Sequence, residues 1–364
     1  MKRLLLLAIL VQIGCSQAIV QKSESSLDPR YESAVQQARH FMRDSLAASG
    51  IPGASITVSV NGAIVWSEGF GYADLEQGVP VTSETKFRVG SVSKPLTATA
   101  MALLYEEGKI NLDAAVQTYV PVFPQKRYPV SLRQLSGHTA GIRHYQGTEM
   151  LLGRRFLSVE EGLSIFKDDS LLFEPGTQFS YSSYAWNLIS AAIEGAGRMN
   201  FLDIMTQRVF RPLGMTNTVA DYSDSLISKR ARWYTRDSLE HIINARFVDN
   251  SYKWAGGGFL STTVDLAKFG NAMLSGTLLK PQTVGMMFTS QKLKDGRETQ
   301  YGIGWFIRKD KKGRLVVSHS GGSVGGTAQL LLYPDQDVVV ALLVNSDRRF
   351  IHHASAIAEF FLAQ

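Results

Sequence analysis

Apolar residues recur at helical spacing near the start of the chain, then switch to strict alternation. Over 31–49, Ala34, Val35, Ala38, Phe41, Met42 and Leu46 mark one face of an amphipathic helix, and Gly50 ends it. From Ala54 the period drops to two: Ile56, Val58 and Val60 alternate with polar residues. Asn61-Gly62 then leads into Ile64-Val65-Trp66, a pattern that predicts a hairpin. Towards the other end, 301–307, 314–317, 328–333 and 338–344 read as strands, with Lys312-Gly313 and Pro334-Asp335-Gln336-Asp337 as turns. A helix over 350–362 closes the chain. Between the two strand clusters, from about Ser91 to Ser290, the patterns are mostly helical, with polar loops and no fixed-period repeat. Together these elements predict an α+β fold. Strands from both chain ends form one antiparallel sheet flanked by helices, with a mostly helical subdomain beside it. A binding cleft is expected where that subdomain meets the sheet.

The first residues carry a different signal. Met1-Lys2-Arg3 is followed by an apolar run over 4–13 and by the small-residue stretch Gly14-Cys15-Ser16-Gln17-Ala18. This reads as a secretory signal over 1–18, too short to span a membrane, and it predicts an exported protein, periplasmic or extracellular. Ser16 and Ala18 suit ordinary signal peptidase. Gly14-Cys15 suits lipoprotein cleavage and a lipid anchor on Cys15, although Gln12 stands where an aliphatic residue is usual. Residues 19–30 are polar and aperiodic, a tether, and 31–364 form the folded domain. Cys15 is the single cysteine of 364 residues, which excludes disulfides and a cysteine nucleophile. The net charge of +6 falls to about +4 without Lys2 and Arg3, and both signs are interspersed. No basic stripe points to nucleic acid. The expected partner is a small-molecule or peptide substrate, and nothing in the pattern sets an oligomeric state.

The chemistry is concentrated in Phe87-Arg88-Val89-Gly90-Ser91-Val92-Ser93-Lys94-Pro95. Residues three apart share a helix face, so Ser91 and Lys94 can meet without help from the rest of the fold. A serine hydroxyl needs an adjacent base to act as a nucleophile, and a desolvated lysine supplies one. The helix start adds free backbone N–H groups for an oxyanion. The plain alternative is a serine N-cap followed by a solvated lysine. Ser83/Lys86 and Ser164/Lys167 have the same spacing, but the first precedes no helical run and the second lies within a helical pattern. Only Ser91 is followed by Leu96, Ala100, Leu103 and Leu104 at helical spacing.

Two further segments qualify. Tyr181, on a polar loop before the helical run Trp186-Asn187-Leu188-Ile189, reads either as a phenolate base beside a lysine or as a packed aromatic. Ser318-His319-Ser320-Gly321-Gly322 follows a predicted strand; its small residues suit substrate binding at a strand edge, and the Gly322 N–H suits an oxyanion hole with that of Ser91. Gly321-Gly322-Ser323-Val324-Gly325 also matches a nucleophile elbow, with Asp347 and His352 in the right order. That motif needs a helix after the serine, and the sequel reads as a strand. The histidines show no metal-ligand spacing, so neither metal nor cofactor is expected, and His138 and His144 read as loop-holding residues.

The order Ser91-x-x-Lys94, Tyr181-x-Ser183, His319-x-Gly321 resembles the superfamily of class C serine β-lactamases, penicillin-binding D-alanyl peptidases and their esterase relatives. The resemblance runs from about Tyr31 to the C-terminus. The stretch over 248–262, with Gly141-Ile142-Arg143-His144-Tyr145 and Phe166-Lys167-Asp168-Asp169, is similar to the animal mitochondrial β-lactamase-like branch. The resemblance implies that Ser91 is the nucleophile of an acyl-enzyme, that Lys94 and Tyr181 share its proton, and that Ser91 and Gly322 form the oxyanion hole. His319, Ser320, Gly321 and Ser183 would contact substrate. Ser183 and His319 stand where β-lactamases of this type usually have asparagine and lysine, and histidine is mostly neutral at pH 7. The resemblance therefore favours hydrolysis of amide or peptide bonds, with carboxylesterase, β-lactamase or non-catalytic binding roles as alternatives.

Overall fold

The computed structural model describes residues 28–348 and 350–362. The leader, Cys15 and most of the tether lie outside them; Pro29–Tyr31 form a 3-10 turn. Helix α1 (Glu32–Ser49) ends at Gly50, whose φ of 58° is the left-handed cap that glycine adopts without strain. Strands β1 (Gly53–Val60) and β2 (Ala63–Asp74) form the hairpin. Asn61 and Gly62 both have positive φ (50° and 74°), as a tight two-residue hairpin turn requires.

The main sheet has seven strands: β1, β2, β3 (Val79–Pro80), β4 (Phe306–Lys309), β5 (Leu315–Ser323), β6 (Gly326–Tyr333) and β7 (Val338–Val344), in the order β3-β2-β1-β7-β6-β5-β4. The pairings β1–β2, β1–β7, β7–β6, β6–β5, β5–β4 and β2–β3 are all antiparallel, so strands from the two chain ends meet where Ala54 faces Val344. β7 is buried on both faces. Val338, Val340, Leu342 and Val344 join Ile56, Val58, α1 and α6 (His353–Leu362) in one core, while Val339, Ala341 and Leu343 join the larger core beneath the helical subdomain. Ser55 and Thr57 of β1 face that second side, where both hydroxyls lie within 2.9 Å of Thr263 Oγ1 on α5 (Thr263–Ser275), so their burial is hydrogen-bonded.

Three expectations need correction. Of 301–307, only Phe306 and Ile307 enter a regular strand, because Gly302 and Gly304 turn the chain between Tyr301 and Phe306; Gly304 has φ 81°. The strand expected over 314–317 continues to Ser323, since its small residues keep pairing with β6 until the Val324-Gly325 turn. The segment after Ser323 is a strand, as its pattern predicts, so no nucleophile elbow forms there. Ser164 caps the end of a five-residue helix (Val159–Leu163), its hydroxyl bonded to the Glu161 carbonyl, rather than lying within a helix.

Candidate active site

Phe87–Arg88 pairs with Phe259–Ser261 in a small sheet, and the Val89 N–H donates to the Phe259 carbonyl at 3.1 Å. The chain then makes one 3-10 turn, Gly90–Val92, before helix α2 (Ser93–Glu106) begins. Ser91 therefore sits just ahead of the helix, partly exposed, with Lys94 fully buried in its first turn. Strand β5 lies directly against this turn. A Cβ on Gly321 would stand 1.9 Å from the Val89 carbonyl oxygen, and one on Gly90, whose φ is 49°, would stand 2.7 Å from the Gly322 nitrogen. Both glycines are required by this approach. A Cβ on Gly322 would meet nothing, so open space lies on that side of the strand.

The Lys94 amine lies 2.8 Å from Ser91 Oγ, 3.1 Å from Ser183 Oγ and 2.7 Å from the Gly256 carbonyl oxygen. Ser183 opens helix α3 (Ser183–Gly197), and Gly256 belongs to α4 (Trp254–Gly257). No carboxylate pairs with this amine among the described residues. Burial, assisted by the charge of Lys253, holds Lys94 well below the usual lysine range, which favours the free amine.

Tyr181 completes the group. Its ring centroid is 4.9 Å from the Lys94 amine, and its hydroxyl partners that of Ser91. Burial pushes the phenol up despite that hydrogen bond, so the surroundings favour a protonated phenol over the phenolate. Two histidines fix the loop. The Ser182 N–H donates to His138 Nδ1 and the Ser183 N–H to His144 Nδ1, both at 3.1 Å, and the Ser180 N–H donates to the His138 carbonyl at 2.9 Å. Burial keeps both rings neutral, His144 at about 4 and His138 well below its ordinary value. Arg143, beside His144, is paired to Glu149 at 2.7 Å and to Asp169, which anchors the loop to the segment over 166–169.

His319 lies with its ring centroid 6.3 Å from that of Tyr181. Its Nδ1 faces the Ser320 carbonyl at 2.7 Å and its Nε2 the Tyr301 hydroxyl at 2.9 Å. A carbonyl only accepts, so Nδ1 carries the proton and Nε2 accepts from Tyr301. Burial holds His319 at about 3. Ser320 does not join the cluster through its hydroxyl. Strand alternation puts it with Ser318 and Gln329 over a groove on the opposite face, which corrects its expected substrate contact. Ser183, expected at the substrate, is turned onto Lys94 instead. The residues that sequence reasoning left without a role are Tyr301, Tyr145 and Lys253. Tyr145 hydrogen-bonds Ser183, and Lys253 stands one turn before Gly256.

The beta-lactamase family model matches residues 38–361. The chain belongs to the beta-lactamase family. Human serine beta-lactamase-like protein LACTB, mitochondrial, is 34% identical over 88% of this chain and 74% of its own length. Among solved structures, the octameric penicillin-binding protein homologue of Pyrococcus abyssi shares 27% identity and a TM-score of 0.77, covering 90% of this chain and 76% of that one. A D-stereospecific amidohydrolase from Streptomyces sp. is 24% identical at TM-score 0.76, covering 90% and 98%. The beta-lactamase family consists of serine hydrolases that work through an acyl-enzyme, and this chain is an enzyme of that type.

Proposed function

We propose that the protein hydrolyses amide or peptide bonds through an acyl-enzyme on Ser91. The observation that carries this is the fully buried Lys94 amine 2.8 Å from Ser91 Oγ, with no carboxylate partner among the described residues. A free amine has two N–H groups and one lone pair. The Gly256 carbonyl and Ser183 Oγ take the two N–H groups, and the lone pair is left for the Ser91 hydroxyl. Lys94 accepts the Ser91 proton as Oγ adds to the substrate carbonyl carbon. The N–H groups of Ser91 and Gly322, brought together by Gly90 and Gly321, hold the oxyanion. As the C–N bond breaks, the leaving nitrogen takes the Tyr181 proton and Lys94 restores it. Water then cleaves the ester by the same route in reverse. The amidohydrolase among the structural neighbours supports an amide substrate. Both ring nitrogens of His319 are engaged and the ring is neutral, so it offers no cation to a β-lactam carboxylate, which supports a peptidase over a strong β-lactamase.

Intact-protein mass after incubation with a penicillin, beside hydrolysis of a D-Ala-D-Ala peptide and of an ester with the same acyl group, tests this reading. A wild-type adduct or peptide cleavage, each absent in Ser91→Ala, supports it. Cleavage of the ester alone replaces it with carboxylesterase action. The leader over 1–18 supports export, with Cys15 as a lipid site. A mature mass beginning at Cys15 plus lipid is expected from the membrane fraction; an uncleaved cytosolic chain overturns that part.

A further inference from the structure

Among the described residues, the buried cations are neutralised or hydrogen-bonded with one exception. Arg88 is paired to Asp221 at 2.7 Å, Arg143 to Glu149 and Asp169, Lys86 donates to the Ser228 carbonyl at 3.1 Å, and Lys94 has its three partners. Lys253 is 3% exposed, yet among the described residues its amine has no hydrogen bond and no ion pair. It rests against two ring faces, 5.5 Å from the Tyr145 centroid and 5.2 Å from that of Tyr252. A buried amine without a partner either gives up its proton or takes an anion beside it, and burial shifts this one towards the free amine, which an arriving anion would reverse. Asp221 forms no ion pair with it; its Oδ2 takes Arg88 and the Asn250 side-chain amide at 2.7 and 2.8 Å, and its Oδ1 faces Arg230 at 3.7 Å.

The position ties this amine to the reaction centre. Lys253 precedes α4, whose Gly256 carbonyl holds Lys94, and the Tyr145 ring it touches reaches Ser183, which also holds Lys94. His319, which stands where relatives carry a cationic lysine, is locked between Tyr301 and Ser320. We propose that Lys253 is the anion anchor of the cleft and that the enzyme takes substrates bearing a carboxylate, recognised from the Tyr145–Tyr252 side rather than from position 319. This rests on the Ser91 hydrolase reading and adds the substrate class.

Lys253 sits at about 7, lowered by burial and by Arg88 and partly restored by Asp221; Lys94 and His144 are the other titratable groups coupled to it, with Tyr145 and Tyr252 facing it. A bound carboxylate favours the ammonium form, so binding above pH 7 takes up a proton. The test compares kcat/KM at pH 8 for p-nitrophenyl hemiglutarate against p-nitrophenyl pentanoate, and for a D-Ala-D-Ala peptide against its C-terminal amide. Calorimetry of glutarate binding to Ser91→Ala protein in buffers of different ionisation enthalpy reads the proton. We expect wild type to prefer the anion in at least one pair, and Lys253→Met to lower that ratio at least tenfold. Lys253→Arg should keep much of the ratio, and glutarate should bind with proton uptake that Lys253→Met abolishes. Equal losses on charged and neutral substrates, or glutarate binding unaffected by Lys253→Met, would overturn the anchor. If no substrate is turned over but glutarate still binds through Lys253, the hydrolase reading fails and the anchor stands.

Discussion

The Lys94 amine donates to the Gly256 carbonyl at 2.7 Å, fixing a base on helix α2 to a residue of α4 that lies 162 positions further along the chain. With the amine held in this dry position, kcat/KM is expected to rise with pH as Lys94 loses its proton and to level off well below the usual lysine range. A pH profile on a neutral substrate checks this; a limb near 10.5 would show a solvated lysine.

The same burial has a stability signature. Lys94 has a lower value folded than unfolded, so unfolding takes up a proton between the two, and stability rises with pH across that window. Lys94→Met lacks that slope. Its stability relative to wild type should be most favourable near pH 6 and should decline towards pH 9, measured by urea denaturation at each pH.

Neighbouring glycines of β5 should behave in opposite ways. Gly321→Ala drives a methyl into the Val89 carbonyl and should cost about 1–3 kcal/mol, with loss of activity. Gly322→Ala meets open space and should leave the melting temperature unchanged. Thermal unfolding of the pair distinguishes the two positions.

Tyr181→Phe should retain the fold and lose about 10²-fold or more in turnover, the usual size of a lost proton donor. Because burial raises the phenol, wild-type activity should not decline as pH passes 10. A decline there, absent in the phenylalanine variant, would assign the group an ordinary phenol.

His319 should remain neutral with Nδ1 protonated down to about pH 4, which nitrogen NMR of the imidazoles reads directly. Tyr301→Phe removes the hydroxyl that its Nε2 accepts and should cost about 1 kcal/mol. Titration of His319 near 6.5 would mean that the ring is free to swing into the cleft.

The sheet was legible because its strands advertise themselves. Ile56, Val58 and Val60 alternate, Asn61-Gly62 fixes the turn, and the continuous apolar run over 338–344 belongs to a strand with a core on each side. The serine and lysine were legible because their spacing is local. Ser183 on Lys94, Tyr301 on His319 and the unpaired Lys253 were not, since each depends on elements brought together across the fold. Ser320 shows the opposite failure: a motif names consecutive residues, while a strand sends alternate side chains to opposite faces.

β7 pairs with β1 on one side and β6 on the other, and β5, which presses against the Ser91 turn, is reached only through that chain of pairings. The gap between Ser91 and Gly322 is thus assembled from residues 231 positions apart. Non-local pairing of this kind is slow, and it waits on the last part of the chain to be synthesised. A nascent chain that already displays Ser91 and Lys94 lacks the Gly322 amide opposite them. The enzyme is therefore silent until its C-terminal strands are home, and a nonsense mutation anywhere between 95 and 338 removes activity with the serine and lysine intact.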